Sequence, residues 1–165
     1  MLELAILTIF PAAMSFAAVS DLMTMRIPNV VSLALVAGFL LLAPATGVSW
    51  QAIGIQFGFA ISVLVAGFIM FYRGYMGGGD AKLLAAGALW FGAQDVLPFL
   101  LISSLYGGAL TLGLLYVRTL PLPASIARID WAARLHHADV GIPYGIAITA
   151  GALTVYPMTH WMAAL

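Results

Sequence analysis

Charge is so scarce in this chain, and so confined to short links, that it constrains the fold more than any other feature. Only 7% of the 165 residues are charged, and 64% are hydrophobic. A soluble domain carries about 25% charged residues. The deficit excludes an ordinary soluble fold and a disordered one. The apolar residues gather into six stretches, at residues 4–19, 27–42, 53–72, 81–91, 97–117 and 142–161. A bilayer core takes about 20 mostly apolar residues per helix. The expectation is an all-α polytopic membrane protein of six transmembrane helices, built as one integral-membrane domain over residues 1–165. The fourth stretch is the least regular, because it runs on into Trp90, Gly92 and Asp95.

The basic residues orient the bundle. With six spans, Arg26, Arg73, Lys82, Arg118, Arg128 and Arg134 all fall on one side. Glu3, the 43–52 link, Asp95 and the C-terminus fall on the other, with no Lys or Arg. The positive-inside rule then places the basic side in the cytoplasm and both termini outside. The first stretch has no basic residue ahead of it and carries Glu3, which argues against a secretory signal peptide. Six basic and six acidic residues cancel, and without a basic patch nucleic acid is not an expected partner. There are no cysteines, hence no disulfides, thiolate metal sites or thiol nucleophile. No internal repeat supports an inverted-repeat transporter. Gly54 and Gly58 form a GxxxG pair that reads as a weak helix-packing face. The 118–141 loop holds Pro121 and Pro123, then a short interfacial helix with Asp130 and Arg134 at i, i+4.

Two carboxylates stand at the cytoplasmic edge of the apolar spans: Asp21, after Ser20, and Asp80, after Gly77-Gly78-Gly79. A carboxylate at a membrane edge costs free energy unless solvated or paired, and within a bundle it marks a functional site by default. Three glycines before Asp80 permit close backbone approach and positive φ, and they interrupt a helix. The expectation is irregular backbone there, beside a water-accessible cleft. Two carboxylates brought together can hydrolyse a peptide bond. The ionised one takes a proton from attacking water, and the protonated one serves the carbonyl oxygen and then the leaving amine. The simpler reading makes Asp80 a helix N-cap and Asp21 a solvated helix-end residue beside Arg26. Asp80 opens a helix and Asp21 closes one, so the helix dipoles favour Asp80 as ionised base and Asp21 as proton holder. Coupled groups nonetheless titrate as a pair.

The segments around these aspartates carry a resemblance. Ser20-Asp21 through Arg26-Ile27-Pro28-Asn29 resembles the first aspartate motif of the type IV prepilin peptidases. Gly77-Gly78-Gly79-Asp80-Ala81-Lys82-Leu83-Leu84 is similar to their second, a G-x-G-D sequence followed by a Lys-Leu helix. Pro143-Tyr144-Gly145 is similar to the segment that opens their last helix. The short form resembles the prepilin peptidases of Flp (tight-adherence) pilus systems. The resemblance implies an aspartic endopeptidase of the bacterial inner membrane with Asp21 and Asp80 as the catalytic pair and no cofactor. It implies prepilin or pseudopilin substrates, cut at the cytoplasmic face after a short basic leader, and a place beside the pilus assembly machinery. Longer members also N-methylate the new terminus and carry paired Cys-x-x-Cys. This chain has no cysteine, so methylation is not expected. G-x-G-D also occurs in archaeal preflagellin peptidases and presenilins, so it does not fix the substrate.

Other residues carry less. Lys82, two positions after Asp80, faces elsewhere on a helix and either tunes the pair, contacts substrate or snorkels to the interface. Asn29, behind the helix-starting Pro28, is a candidate hydrogen-bonding group near the site. Gly77, Gly78 and Gly79 are candidates for shaping it. His136-His137-x-Asp139 lacks metal-ligand spacing and reads as a solvated loop, so no metal is expected. Ser20 has neither a G-x-S-x-G context nor a nearby histidine. The alternative function is a small polytopic transporter or channel subunit with Asp21 and Asp80 in an ion path. An inactive assembly scaffold is a third.

Overall fold

A computed structural model describes residues 1–163, and among these the chain is helical without strands. The helices are α1 (Leu2–Thr24), α2 (Asn29–Ala45), α3 (Trp50–Tyr72), α4 (Gly78–Ala88), α5 (Val96–Val117), α6 (Asp130–His136), α7 (Tyr144–Val155) and α8 (His160–Ala163). A 3-10 turn, Tyr156–Met158, joins the last two. Each of the six apolar stretches forms helix, and the short helix expected in the 118–141 loop is α6. Three helices, α1, α3 and α5, are long and apolar enough to cross a bilayer. The 17-residue α2 is shorter.

The fourth and sixth stretches differ in kind. α4 has 11 residues and α7 has 12, roughly 16–18 Å of helix at 1.5 Å per residue, about half a bilayer core. Both are buried on most sides. α4 packs against α2, α3, α5 and α7, and α7 packs against α1, α4 and α5. Small residues permit this. A methyl at Gly67 of α3 would lie 2.8 Å from the Ala81 Cβ, and one at Gly87 of α4 would lie 3.2 Å from Phe99. Close approach over small residues is how helices pack where water supplies no hydrophobic drive. Gly54 and Gly58 do not take part. Nothing lies within 4 Å of a methyl built at either, so the GxxxG face points out of the bundle.

Side chains tie the central helices to α1. The Thr149 hydroxyl donates to the Met14 carbonyl at 2.8 Å, and the Tyr156 hydroxyl donates to the Ile6 carbonyl at 2.9 Å. The end of the bundle away from the aspartates is sealed by aromatic rings around Trp90, with Trp161 at 5.0 Å and Phe10 at 5.1 Å between centroids. The Trp90 indole donates to the Leu35 carbonyl at 3.0 Å, and its own carbonyl accepts from the Trp161 indole. Trp90→Phe removes one buried hydrogen bond and some packing volume. It is expected to lower stability by about 1–3 kcal/mol, read as a fall in the thermal midpoint in detergent.

Candidate active site

Helix ends converge at the opposite end of the bundle. α1 finishes at Thr24 and turns at Met25, whose φ of 54° is left-handed. That conformation costs a non-glycine residue of order 1 kcal/mol or more. The turn is held by the Met25 amide on the Asp21 carbonyl at 2.7 Å and by the Ser20 hydroxyl on the Arg26 carbonyl at 2.9 Å. The chain then re-enters the bundle through Pro28, which takes the N-cap position of α2 with φ −62°.

Asp21 lies one turn before the end of α1 and is 5% exposed, so its carboxylate is withdrawn from bulk water. Its Oδ2 accepts the Gly145 backbone N–H at 2.7 Å. Gly145 is in the first turn of α7, where backbone donors have no partner within the helix. Asp21 therefore caps α7 from another part of the chain. The unprotonated oxygen of a carboxyl group is the better acceptor, so the Gly145 N–H favours a proton on Oδ1 over one on Oδ2.

Asp80 is in the first turn of α4 and is 8% exposed. Its carboxylate folds back over the N-cap, where a methyl at Gly77 would lie 2.7 Å from Oδ2. This corrects two expectations. Asp80 is not the N-cap, which is Gly77 with φ −70° and ψ 144°. Gly78 and Gly79 are not irregular backbone but the first residues of α4. The glycines serve close approach rather than positive φ. A methyl at Gly79 would meet the Ile27 Cβ at 3.2 Å, and one at Gly78 would meet the Phe71 ring at 3.4 Å.

Asp21 and Asp80 face one cleft of about 770 Å³, close enough for the charge of one to act on the other. Gly77, Gly78, Gly79 and Asn29 line the same cleft, with the hydroxyl-bearing Ser20 and Thr24. Lys82 does not line it. Its ammonium donates to the Asn29 Oδ1 at 3.0 Å, bridging the starts of α2 and α4. Among the described residues, no three His, Cys, Asp or Glu side chains gather as metal ligands.

A model of the type IV leader peptidase family matches residues 8–112, a stretch that contains both aspartates and the bridge beside them. The chain belongs to the type IV leader peptidase family. No curated protein and no solved structure matches it.

For a leader peptidase the arrangement has chemical content. Two shielded carboxylates share one cleft of about 770 Å³. Each meets the N-terminus of a short buried helix, where the helix dipole favours negative charge. The residues beyond the matched stretch complete this setting. Gly145 supplies the amide on Asp21. The 118–141 loop is pinned over the end of α1, where the Arg134 guanidinium donates to the Leu22 and Met23 carbonyls at 3.1 and 2.6 Å. Arg118 holds the far side of that loop through the carbonyls of Leu135 and Val140, both at 2.8 Å. Arg134 thus serves the last carbonyls of α1, a use that its spacing from Asp130 did not suggest. Sequence reasoning left Gly145, Met25 and Arg134 out of the site. Pro143-Tyr144-Gly145 was visible as a motif, but nothing local signals a partner at position 21.

Proposed function

We propose that this leader peptidase is an aspartic endopeptidase of the bacterial inner membrane, with Asp21 and Asp80 as its catalytic pair. The observation that carries the reading is the meeting of these two buried carboxylates at one cleft, Asp21 held by the Gly145 amide at the start of α7 and Asp80 in the first turn of α4. Like charges so close disfavour double ionisation, so the pair holds one proton between its two members. The ionised carboxylate takes a proton from water as the water oxygen bonds to the scissile carbonyl carbon. The protonated one donates to the carbonyl oxygen, and proton transfer to the amide nitrogen then accompanies C–N cleavage. Gly77, Gly78 and Gly79 line the cleft beside Asp80 and present backbone to the substrate there. No cofactor or metal enters the reaction.

The substrate is the prepilin or pseudopilin class, cut between a short basic leader and the apolar helix behind it, and the new amine is left unmethylated. The six apolar segments cross the membrane. α4 and α7 do so as buried half-length helices extended by the turns beyond them, with both termini outside. The gathering of Arg26, Lys82, Arg118 and Arg134 at the aspartate end supports a cytoplasmic site.

The test is co-expression with a prepilin of a tight-adherence pilus system, read by mass spectrometry of the pilin N-terminus. Leader loss with a free amine is the expected result. An intact leader with every prepilin offered, or proton-coupled flux in proteoliposomes without any peptide product, would send the aspartates to an ion path instead. Topology is read in the same cells, because the chain has no cysteine. A thiol at Ala138 should label only after permeabilisation, and one at Gly47 should label in intact spheroplasts.

A further inference from the structure

Beside the aspartate cleft lies a second cavity of about 460 Å³, a trough between α2, α3 and α4. Its walls run from Asn29 to Val36 on α2, from Leu64 to Phe57 on α3 and from Lys82 on α4 to Leu89 at its C-cap. On each helix the lining positions recur at i, i+3, i+4 and i+7, one face of a helix over two turns, or roughly 10 Å of length. Its lining is apolar except at one end.

That end is decisive. Asn29 lines both the trough and the aspartate cleft, and Lys82, two residues after Asp80, lines the trough beside it. The hydrogen-bonded Lys82–Asn29 pair is therefore a polar sill between the two cavities. The opposite end is closed, because α2 and α3 are joined there by the short 46–49 link and Phe39 meets Phe57 with ring centroids 6.0 Å apart. Leu33 and Ile61 on its rims are 65% and 57% exposed, so the trough opens sideways on the apolar surface of the bundle. The other large cavity near the aspartates, between α3, α4, α5 and α7, has no lining residue in common with the cleft.

We propose that this trough seats the apolar helical segment of the substrate that follows the scissile bond, with Lys82 and Asn29 receiving the chain as it unwinds over the sill. This rests on the peptidase reading above. A bond can be hydrolysed only where its carbonyl is free of helix hydrogen bonds, and free backbone groups at a membrane edge need partners. The ammonium has three donors and spends one on Asn29. The remaining donors suit backbone carbonyls of the unwound residues. The small side chains of Ala60, Ala85 and Ala86 leave the depth that a packed helix requires.

The absence of cysteine makes the test direct. Single cysteines are placed at Leu33 and Ile61 of the trough, and at the equally exposed Leu112 of the other cavity as comparator. Each is paired with a cysteine scan through the apolar segment of the prepilin, in membranes. Disulfide adducts are collected in an Asp80→Asn background, which keeps the substrate uncut, and leader removal is scored in the matching chains with Asp80 intact. Adducts from Leu33 and Ile61, recurring every three to four substrate positions, with none from Leu112, are the expected result. Adducts from Leu112 alone, or none at all while leaders are removed, overturn the trough assignment and leave the peptidase reading standing. If no chain removes a leader, the peptidase reading falls and the trough assignment falls with it.

Discussion

Asp21→Asn and Asp80→Asn each lower leader removal by at least about 100-fold, and the double variant is no less active than either single one. The first part follows from chemistry. An amide can neither accept the water proton nor pass a proton to the leaving amine, and positioned acid–base groups contribute about 10²- to 10⁴-fold each. The second part follows because two carboxylates that share a proton act as one device, and losses within such a unit do not add. Structure makes the substitutions clean. An asparagine at position 21 keeps an oxygen for the Gly145 N–H, now at 2.7 Å from Oδ2. One at position 80 has nearly the same volume in the first turn of α4. Thermal midpoints in detergent should therefore stay near that of the unsubstituted chain while product disappears. A double variant markedly less active than both singles would show that the residues work independently, and retained cleavage in any of the three would remove them from the chemistry.

The same pair shows how far the sequence could be read. The meeting of Asp21 and Asp80 at one cleft was legible because a carboxylate at the edge of an apolar run is costly and therefore conspicuous. The helices were legible because a run such as 53–72 carries no charge at all. What escaped were features set by packing at a distance. α4 and α7 look like spans in composition, and only the helices packed around them reveal them as short interior ones. Gly78 and Gly79 looked like helix breakers, yet they begin α4, and at Gly79 the Ile27 Cβ stands 3.2 Å from where a methyl would lie. Gly54 and Gly58 looked like a packing face and are open, since periodicity does not say which side of a helix has a partner. The left-handed turn at Met25 gave no sign, because glycine and asparagine are the residues that advertise it. The contrast expected between the two aspartates also weakens. Asp21 closes α1, but it equally meets the start of α7, so both carboxylates sit against positive helix ends.

That last point carries the second large effect. Gly145→Ala is expected to lower leader removal by about 10- to 100-fold, whereas Gly54→Ala leaves it unchanged. Both put one methyl on a helix, so intrinsic propensity favours both by about 0.5–1 kcal/mol. Their surroundings decide the difference. At Gly145 the methyl would lie 2.9 Å from the Asp21 Oδ2, 3.0 Å from its Cβ and 3.2 Å from its Cγ. Asp21 is buried on α1 and cannot retreat without leaving the Gly145 N–H. A hydrogen bond to a charged group is worth about 1.5–3 kcal/mol, which is the 10- to 100-fold expected if the carboxylate is displaced. At Gly54 nothing stands within 4 Å of the methyl, so only the gain in helix propensity remains. The readouts are the rate of leader removal and the thermal midpoint, measured on both variants together. A Gly145→Ala chain that cleaves at the unsubstituted rate would show that the start of α7 does not position Asp21. A loss equal in both variants would mean that added bulk in any helix slows the enzyme. Only an effect confined to Gly145 ties the catalytic geometry to an amide supplied from the other end of the chain.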